Sequence, residues 1–201
     1  MALLKKAYPN AACSLDFGTP HQLLVSTILS AQCTDERVNA VTPGLFKKYK
    51  SPEDFAKAVL MDLEENIRST GFFRNKAKAI KESSKILVEK YDGKMPQTIQ
   101  ELTLLPGVGR KTASVVLGTA FGIAEGIVVD THVTRLSHRL GFTGAIDAVK
   151  IETDLMKIIA KKDWIILSHL MIDHGRAVCK ARKPDCGHCP VAKFCPSAGK
   201  V

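Results

Sequence analysis

Apolar positions along the chain recur at spacings of three and four residues and almost never alternate with period two, which predicts an all-α protein. TPHQLLVSTILSAQ is apolar on nearly every side and predicts a buried helix ending near Gln32. TDERVNAVTPGLF restarts with Thr34 or Asp35 as its cap. In SPEDFAKAV, Ser51 is placed to cap a helix with Pro52 at its first position, and DLEENIRSTG closes at Gly71, a residue suited to the turn after a helix. NKAKAIKESSKILVEKY predicts a long amphipathic helix with Ala79, Ile80, Ile86 and Leu87 near one stripe. TIQELTLL opens with a capping box from Thr98 to Glu101, followed by a PGVG turn and a helix from about Arg110 to Phe121. Further helices are expected at about 131–141, 147–160 and 163–178. No internal repeat and no low-complexity tract interrupts the pattern.

The 201 residues suffice for one large domain or two small ones. A chain with 45% hydrophobic and 24% charged residues has a soluble globular balance. No apolar run approaches the roughly 18 residues of a membrane helix, and MALLKKAYPN lacks a signal-peptide core. The expected address is therefore the cytoplasm or nucleoid, with no membrane association. The net charge of +9 favours polyanionic partners, nucleic acid first and anionic membrane surface second.

The cysteines change the picture more than the charge does. Cys179, Cys186, Cys189 and Cys195 fall in one short terminal segment spaced C-x6-C-x2-C-x5-C, while Cys13 and Cys33 are isolated. A disulfide framework would spread its cysteines, so the cluster points to metal. Four thiolates suit tetrahedral zinc or a [4Fe–4S] cube. Zinc sites usually pair ligands as C-x2-C twice; only the middle pair is close here, which favours the iron–sulfur cluster. The intervening residues are rich in Pro, Gly and Lys, so a bound group must supply the order that the loop lacks. With all four positions filled by Cys, that group has a structural or redox role.

LTLLPGVGRKTASVVL reads as helix, tight hairpin, helix. Gly107 and Gly109 permit positive φ and close approach, and the following helix start adds its dipole, which together suit a phosphate. The alternative is a plain helix–helix connection. Lys111 falls in the first helical turn, where the dipole disfavours an ammonium; a neutral amine is what nucleophilic attack requires. Phosphate binding by a solvated lysine is the other reading. In IVVDTHVTRL, Asp130 precedes a helical period and can serve as an N-cap, as a carboxylate at a pocket mouth that works with Lys111, or as both.

SAQCTD, LPGVGRKTA, VDTH and the cysteine spacing, in this order, resemble bacterial and archaeal endonuclease III, the helix–hairpin–helix family of DNA glycosylases with associated AP-lyase activity. The resemblance runs from about Asp16 to Cys195. It implies two helical domains flanking a DNA-binding cleft. One is a six-helix domain over residues 13–123, with the helix–hairpin–helix at about 98–121. The other joins residues 1–12 to 124–201 and carries a [4Fe–4S] cluster on Cys179, Cys186, Cys189 and Cys195 in the loop 179–195. The implied substrate is double-stranded DNA with an oxidised pyrimidine or an abasic site, bound by a monomer, the damaged nucleotide flipped into a pocket.

By resemblance Lys111 attacks C1′ and forms a Schiff base, β-elimination then releases the 3′ phosphate, and Asp130 is the catalytic carboxylate. Gln32 fills the gap left in the duplex, and Ser30 and His132 lie near the pocket. Leu105, Gly107, Val108, Gly109 and Arg110 form the hairpin that meets DNA. Lys180, Arg182 and Lys183 present charge from the cysteine loop to the backbone. The chain departs from the family pattern at three places. Phe72 stands where many relatives carry a leucine wedge, Cys33 replaces a small alanine, and the segment before Ala7 is shorter. Two other classes remain beside the enzyme: a non-catalytic damage sensor, against which the joint presence of Lys111 and Asp130 counts, and a ferredoxin-like redox module, disfavoured because the cysteine loop is a small part of the chain.

Overall fold

The computed structural model describes residues 1–201 and contains eleven α-helices and no strand. They are α1 (Ala2–Ala7), α2 (Pro20–Leu29), α3 (Asp35–Lys48), α4 (Pro52–Lys57), α5 (Leu60–Ile67), α6 (Phe73–Tyr91), α7 (Ile99–Leu102), α8 (Arg110–Phe121), α9 (Thr131–Arg139), α10 (Ala148–Ile158) and α11 (Trp164–Ala177). No helix is long and apolar enough to cross a membrane. The chain divides into two compact units, Ser14–Ile123 and a second made of Met1–Cys13 with Ala124–Val201.

The first unit is organised around α2. Its residues Leu23, Leu24, Val25, Ile28 and Leu29 are all buried, because the segment has no polar face wide enough to meet water. Thr19 caps it, accepting from the Gln22 amide, and Pro20 fills the first position, where its missing N–H is harmless. The helix stops at Leu29, three residues before Gln32, because Ser30 to Cys33 form a tight turn with Cys33 N donating to Ser30 O at 3.1 Å. Ser51 and Asp54 form a reciprocal capping box at the start of α4. Ala58 and Val59 are extended and separate α4 from α5, so residues 14–123 hold seven α-helices, one more than the resemblance implies. Gly71 has φ +70, and α6 begins two residues later. The buried side of α6 is Lys76, Ala77, Ile80, Ser83, Ser84 and Leu87; Ala79 and Ile86 sit at its edge.

His21 is buried and its Nε2 lies 3.0 Å from Ser84 Oγ, with Phe55 edge-on at 5.3 Å between ring centres. Burial among apolar neighbours pulls its pKa down to about 4. The unfolded chain takes up the proton near pH 6.5 and the folded one does not, so stability falls as pH drops from about 6.5 to about 4. The expected loss is roughly 3 kcal/mol across that window. Thermal unfolding of His21→Gln against the parent protein between pH 4 and 7 tests this, the variant losing that part of the pH slope.

In the second unit, Ile127, Val133, Leu136, Ile151, Leu155, Leu167 and Met171 form one core of buried side chains. A smaller cluster joins Leu4 and Ala11 from the N-terminal segment to Leu170 on α11 and Val191 in the cysteine loop. Burial of Leu4 thus fastens α1 to the side of the unit that holds the cysteines. Lys5 reaches Asp163 at 2.5 Å as the chain enters α11.

Candidate active site and DNA-facing surface

The hairpin between α7 and α8 is built from local rules. Thr98 accepts from the Glu101 amide at 3.2 Å and donates to its carboxylate at 2.7 Å, which starts α7. Gly107 turns the chain with φ +77, and a Cβ there would lie 2.8 Å from Ala79 Cβ, so the hairpin can rest on α6 only with glycine at this position. Gly109 is the N-cap of α8 and no side chain caps that helix, which leaves its first turn of amides open to an anion. Gly107, Gly109, Arg110 and Lys111 are exposed.

Two residues of the hairpin depart from the expectation. Leu105 and Val108 are buried, at 1% and 5% exposure, and the Val108 amide already donates to Leu105 O at 3.1 Å. Both anchor the turn from beneath, because a two-glycine loop needs apolar ballast to hold its shape. The outward groups are Gly107, Gly109 and the start of α8.

Lys111 carries no salt bridge, and α8 has no acidic residue in its first turn. An amine held in no ion pair, seated at the positive end of a helix dipole, is placed as a nucleophile would be. Asp130 is the N-cap of α9, its Oδ1 accepting from Val133 N at 2.8 Å. The cap uses one of its two oxygens. His132, half-buried, accepts at Nδ1 from the Arg135 guanidinium at 3.1 Å, since an arginine can only donate. Burial holds His132 below its ordinary range, with Arg135 and Arg176 adding to the shift and Asp130 opposing it. The imidazole is thus neutral with its proton on Nε2. Gly175 makes room for this pair: a Cβ there would approach His132 Nδ1 at 2.6 Å and Arg135 at 2.9 Å.

Gln32 and Phe72 are both exposed and both adopt left-handed backbone, with φ 53 and φ 48. Non-glycine residues rarely hold that conformation unless the surroundings enforce it. Phe72 stands 63% exposed at the start of α6, and together with Gln32 it borders a groove that also includes Ala31, Asn75, Lys76 and Thr112. Ser30 is half-buried, its hydroxyl donating to Thr27 O at 2.9 Å.

The four C-terminal cysteines line one pocket with Leu136, Leu140, Val178 and Val191. The loop is stapled to α9. Arg139 donates to Cys179 Sγ at 3.3 Å, Lys180 O at 2.7 Å and Ala181 O at 3.1 Å, and Arg135 donates to Cys179 O. Cys189 Sγ lies 3.4 Å from His174 Nε2, and Cys195 Sγ donates to Arg139 O at 3.3 Å. The Arg139 N–H on Cys179 suits anionic sulfur, and four cysteines lining one pocket fit an iron–sulfur cluster. Between the first two cysteines, Asp185 N closes the loop onto Val178 O, and Lys180, Arg182 and Lys183 project as exposed cations. Lys183 has φ 52, one of four non-glycine residues with left-handed backbone.

Sequence reasoning missed Arg135 and Arg139, although their spacing of four places them on one face of α9. It also missed Lys76 and Asn75, which read as the polar side of an amphipathic helix.

Comparison with known proteins agrees with these features. Residues 25–161 match the family described as HhH-GPD superfamily base excision DNA repair protein, and residues 179–195 match the iron-sulfur binding domain of endonuclease III. The endonuclease III of Synechocystis sp. is 59% identical over 198 residues, covering 98% of this chain and 90% of that protein. The Bacillus subtilis endonuclease III is 47% identical over 194 residues, covering 96% and 88%. Among solved structures, a trapped endonuclease III–DNA covalent intermediate superposes with TM-score 0.91 at 47% identity, covering 97% of this chain and 92% of that one. A thermostable thymine-DNA glycosylase shares the fold at TM-score 0.86 and 22% identity, covering 100% and 95%.

Proposed function

This chain belongs to the endonuclease III family, within the HhH-GPD superfamily of base-excision DNA repair proteins, and from that premise we propose how its residues divide the work. Its activity is that of a bifunctional DNA N-glycosylase and AP lyase acting on oxidised pyrimidines in duplex DNA, and its C-terminal loop holds a [4Fe–4S] cluster. Lys111 is the nucleophile. Its neutral amine attacks C1′ of the flipped nucleotide, and the base leaves and takes up a proton. The sugar ring opens to a Schiff base between C1′ and Lys111 Nζ. Loss of a C2′ proton then breaks the C3′–O bond and releases the 3′ phosphate, and water hydrolyses the imine to restore the lysine.

Asp130 supplies the carboxylate that takes the proton from the Lys111 ammonium or steadies the cationic sugar. Gln32 and Phe72 enter the gap left by the flipped nucleotide, the aromatic ring stacking on neighbouring bases. Gly107, Gly109 and Arg110 hold a phosphate at the start of α8, with Leu105 and Val108 supporting the turn from within. Ser30 and neutral His132 border the lesion pocket. Cys179, Cys186, Cys189 and Cys195 are the cluster ligands. When bound, the cluster cross-links a loop with little core of its own and, having no open coordination position, supplies order rather than catalysis. The ordered loop sets Lys180, Arg182 and Lys183 against the DNA backbone. The protein works as a monomer on chromosomal DNA in the cytoplasm, a reading that its net charge of +9 supports.

The observation that carries this reading is an exposed lysine held in no ion pair, in the first turn of an uncapped helix, directly after the glycine hairpin. Borohydride trapping tests it: the protein incubated with a thymine glycol duplex and reductant should become covalently joined to DNA, with free base released and the strand nicked. Base release with neither adduct nor nick would overturn the lyase assignment.

A further inference from the structure

Lys76 is a basic residue on the buried face of α6, only 5% exposed. Its Nζ donates to Leu29 O at 2.8 Å and to Thr70 O at 2.8 Å. These carbonyls end two separate elements: Leu29 is the last residue of α2, and Thr70 is the last of the short 3-10 turn Arg68–Thr70. Carbonyls rather than carboxylates hold the ammonium, and it sits at the negative end of the α2 dipole. A buried charge held this way is costly where an apolar side chain would pack, and the neighbouring buried positions on α6 are small or aliphatic.

Each of the two carbonyls lies just ahead of an exposed left-handed residue. Gln32 comes three residues after Leu29 and Phe72 two residues after Thr70. These are two of only four non-glycine residues in the chain with positive φ, and with Lys76 they line the same groove. Left-handed backbone at exposed, non-glycine positions persists only when the surroundings over-determine it. A tetrahedral ammonium with three donors can link carbonyls from two segments that are not neighbours in sequence, which an apolar residue cannot do.

We propose that Lys76 is a positioning residue for lesion recognition: its buried ammonium ties the chain leading to Gln32 to the chain leading to Phe72 and so sets the spacing of the two side chains that enter the duplex gap. The proposal rests on Gln32 and Phe72 filling that gap. It concerns only the step in which a gap in paired DNA is filled, so its effect depends on a second strand being present. On single-stranded abasic DNA there is no gap, and the chemistry at Lys111 proceeds without the clamp.

The test is borohydride trapping on one abasic oligonucleotide, single-stranded and annealed, well below the unfolding temperature of each protein. Lys76→Met keeps the length and removes the donors. It should slow trapping on the duplex by roughly ten- to a hundredfold and leave the single-stranded rate within about twofold. Lys76→Gln, which can still donate to one carbonyl, should show a smaller defect with the same strand dependence, and it carries the comparison if the methionine variant does not fold. Equal losses on both substrates, or no loss on either, would overturn the proposal. Gln32→Ala and Phe72→Ala separate the two levels. If both are silent on duplex DNA, the gap-filling reading fails; if both slow the duplex reaction and Lys76→Met does not, only the clamp fails.

Discussion

Replacing Lys111 by alanine should abolish strand nicking and borohydride trapping, with the lyase rate falling by at least roughly three orders of magnitude. The size reflects the kind of step lost. A general acid or phosphate contact leaves residual catalysis when removed, but an imine cannot form without its amine. DNA binding should change little, because the hairpin amides and the basic cysteine loop remain. Stability should stay level or rise slightly: Lys111 is exposed in the first turn of α8, where the helix dipole disfavours a positive charge by about 0.3–1 kcal/mol. A variant as stable as the parent that binds lesion duplexes but forms no adduct separates chemistry from fold. An alanine variant that still traps at the parental rate would move the nucleophile to another amine.

The helix starts were legible in the sequence because caps are local. Ser51 with Asp54, Thr98 with Glu101, and Asp130 with Val133 each make their contact within three residues. The cysteine loop was legible for a similar reason, its four cysteines being close in sequence. Long-range contacts left no such trace. Lys76 meets a carbonyl 47 residues away, and Arg139 reaches the cysteine loop 40 residues on. Neither side chain shows in a hydrophobic period, since a polar residue in an amphipathic helix reads as solvent-facing. The hairpin erred in a related way. Its glycines suggested a strip of free amides, but Leu105 and Val108 are its buried foundation and the Val108 amide closes the turn. The exposed left-handed residues Gln32 and Phe72 carry information that only the backbone holds.

Asp130→Asn should lower base release by roughly a hundred- to ten-thousandfold while leaving the fold nearly as stable as before. The two effects divide because Asp130 has two tasks. As N-cap of α9 it accepts from the Val133 amide at 2.8 Å, and asparagine caps about as well as aspartate. As a carboxylate it has a charge and a basic oxygen that asparagine lacks, and no neighbour on α9 can replace them: the first turn holds no other acid, and His132 is neutral. Asp130→Ala removes both functions, so it should add about 0.5–2 kcal/mol of destabilisation to the same catalytic loss. Thermal melts and single-turnover base release for the pair of variants supply the comparison. Equal activity in the asparagine variant and the parent would leave Asp130 a cap alone. An activity loss that tracks the drop in stability, present in alanine and absent in asparagine, would trace it to fraying of α9. A catalytic carboxylate predicts the opposite pattern, in which asparagine melts like the parent and reacts like alanine.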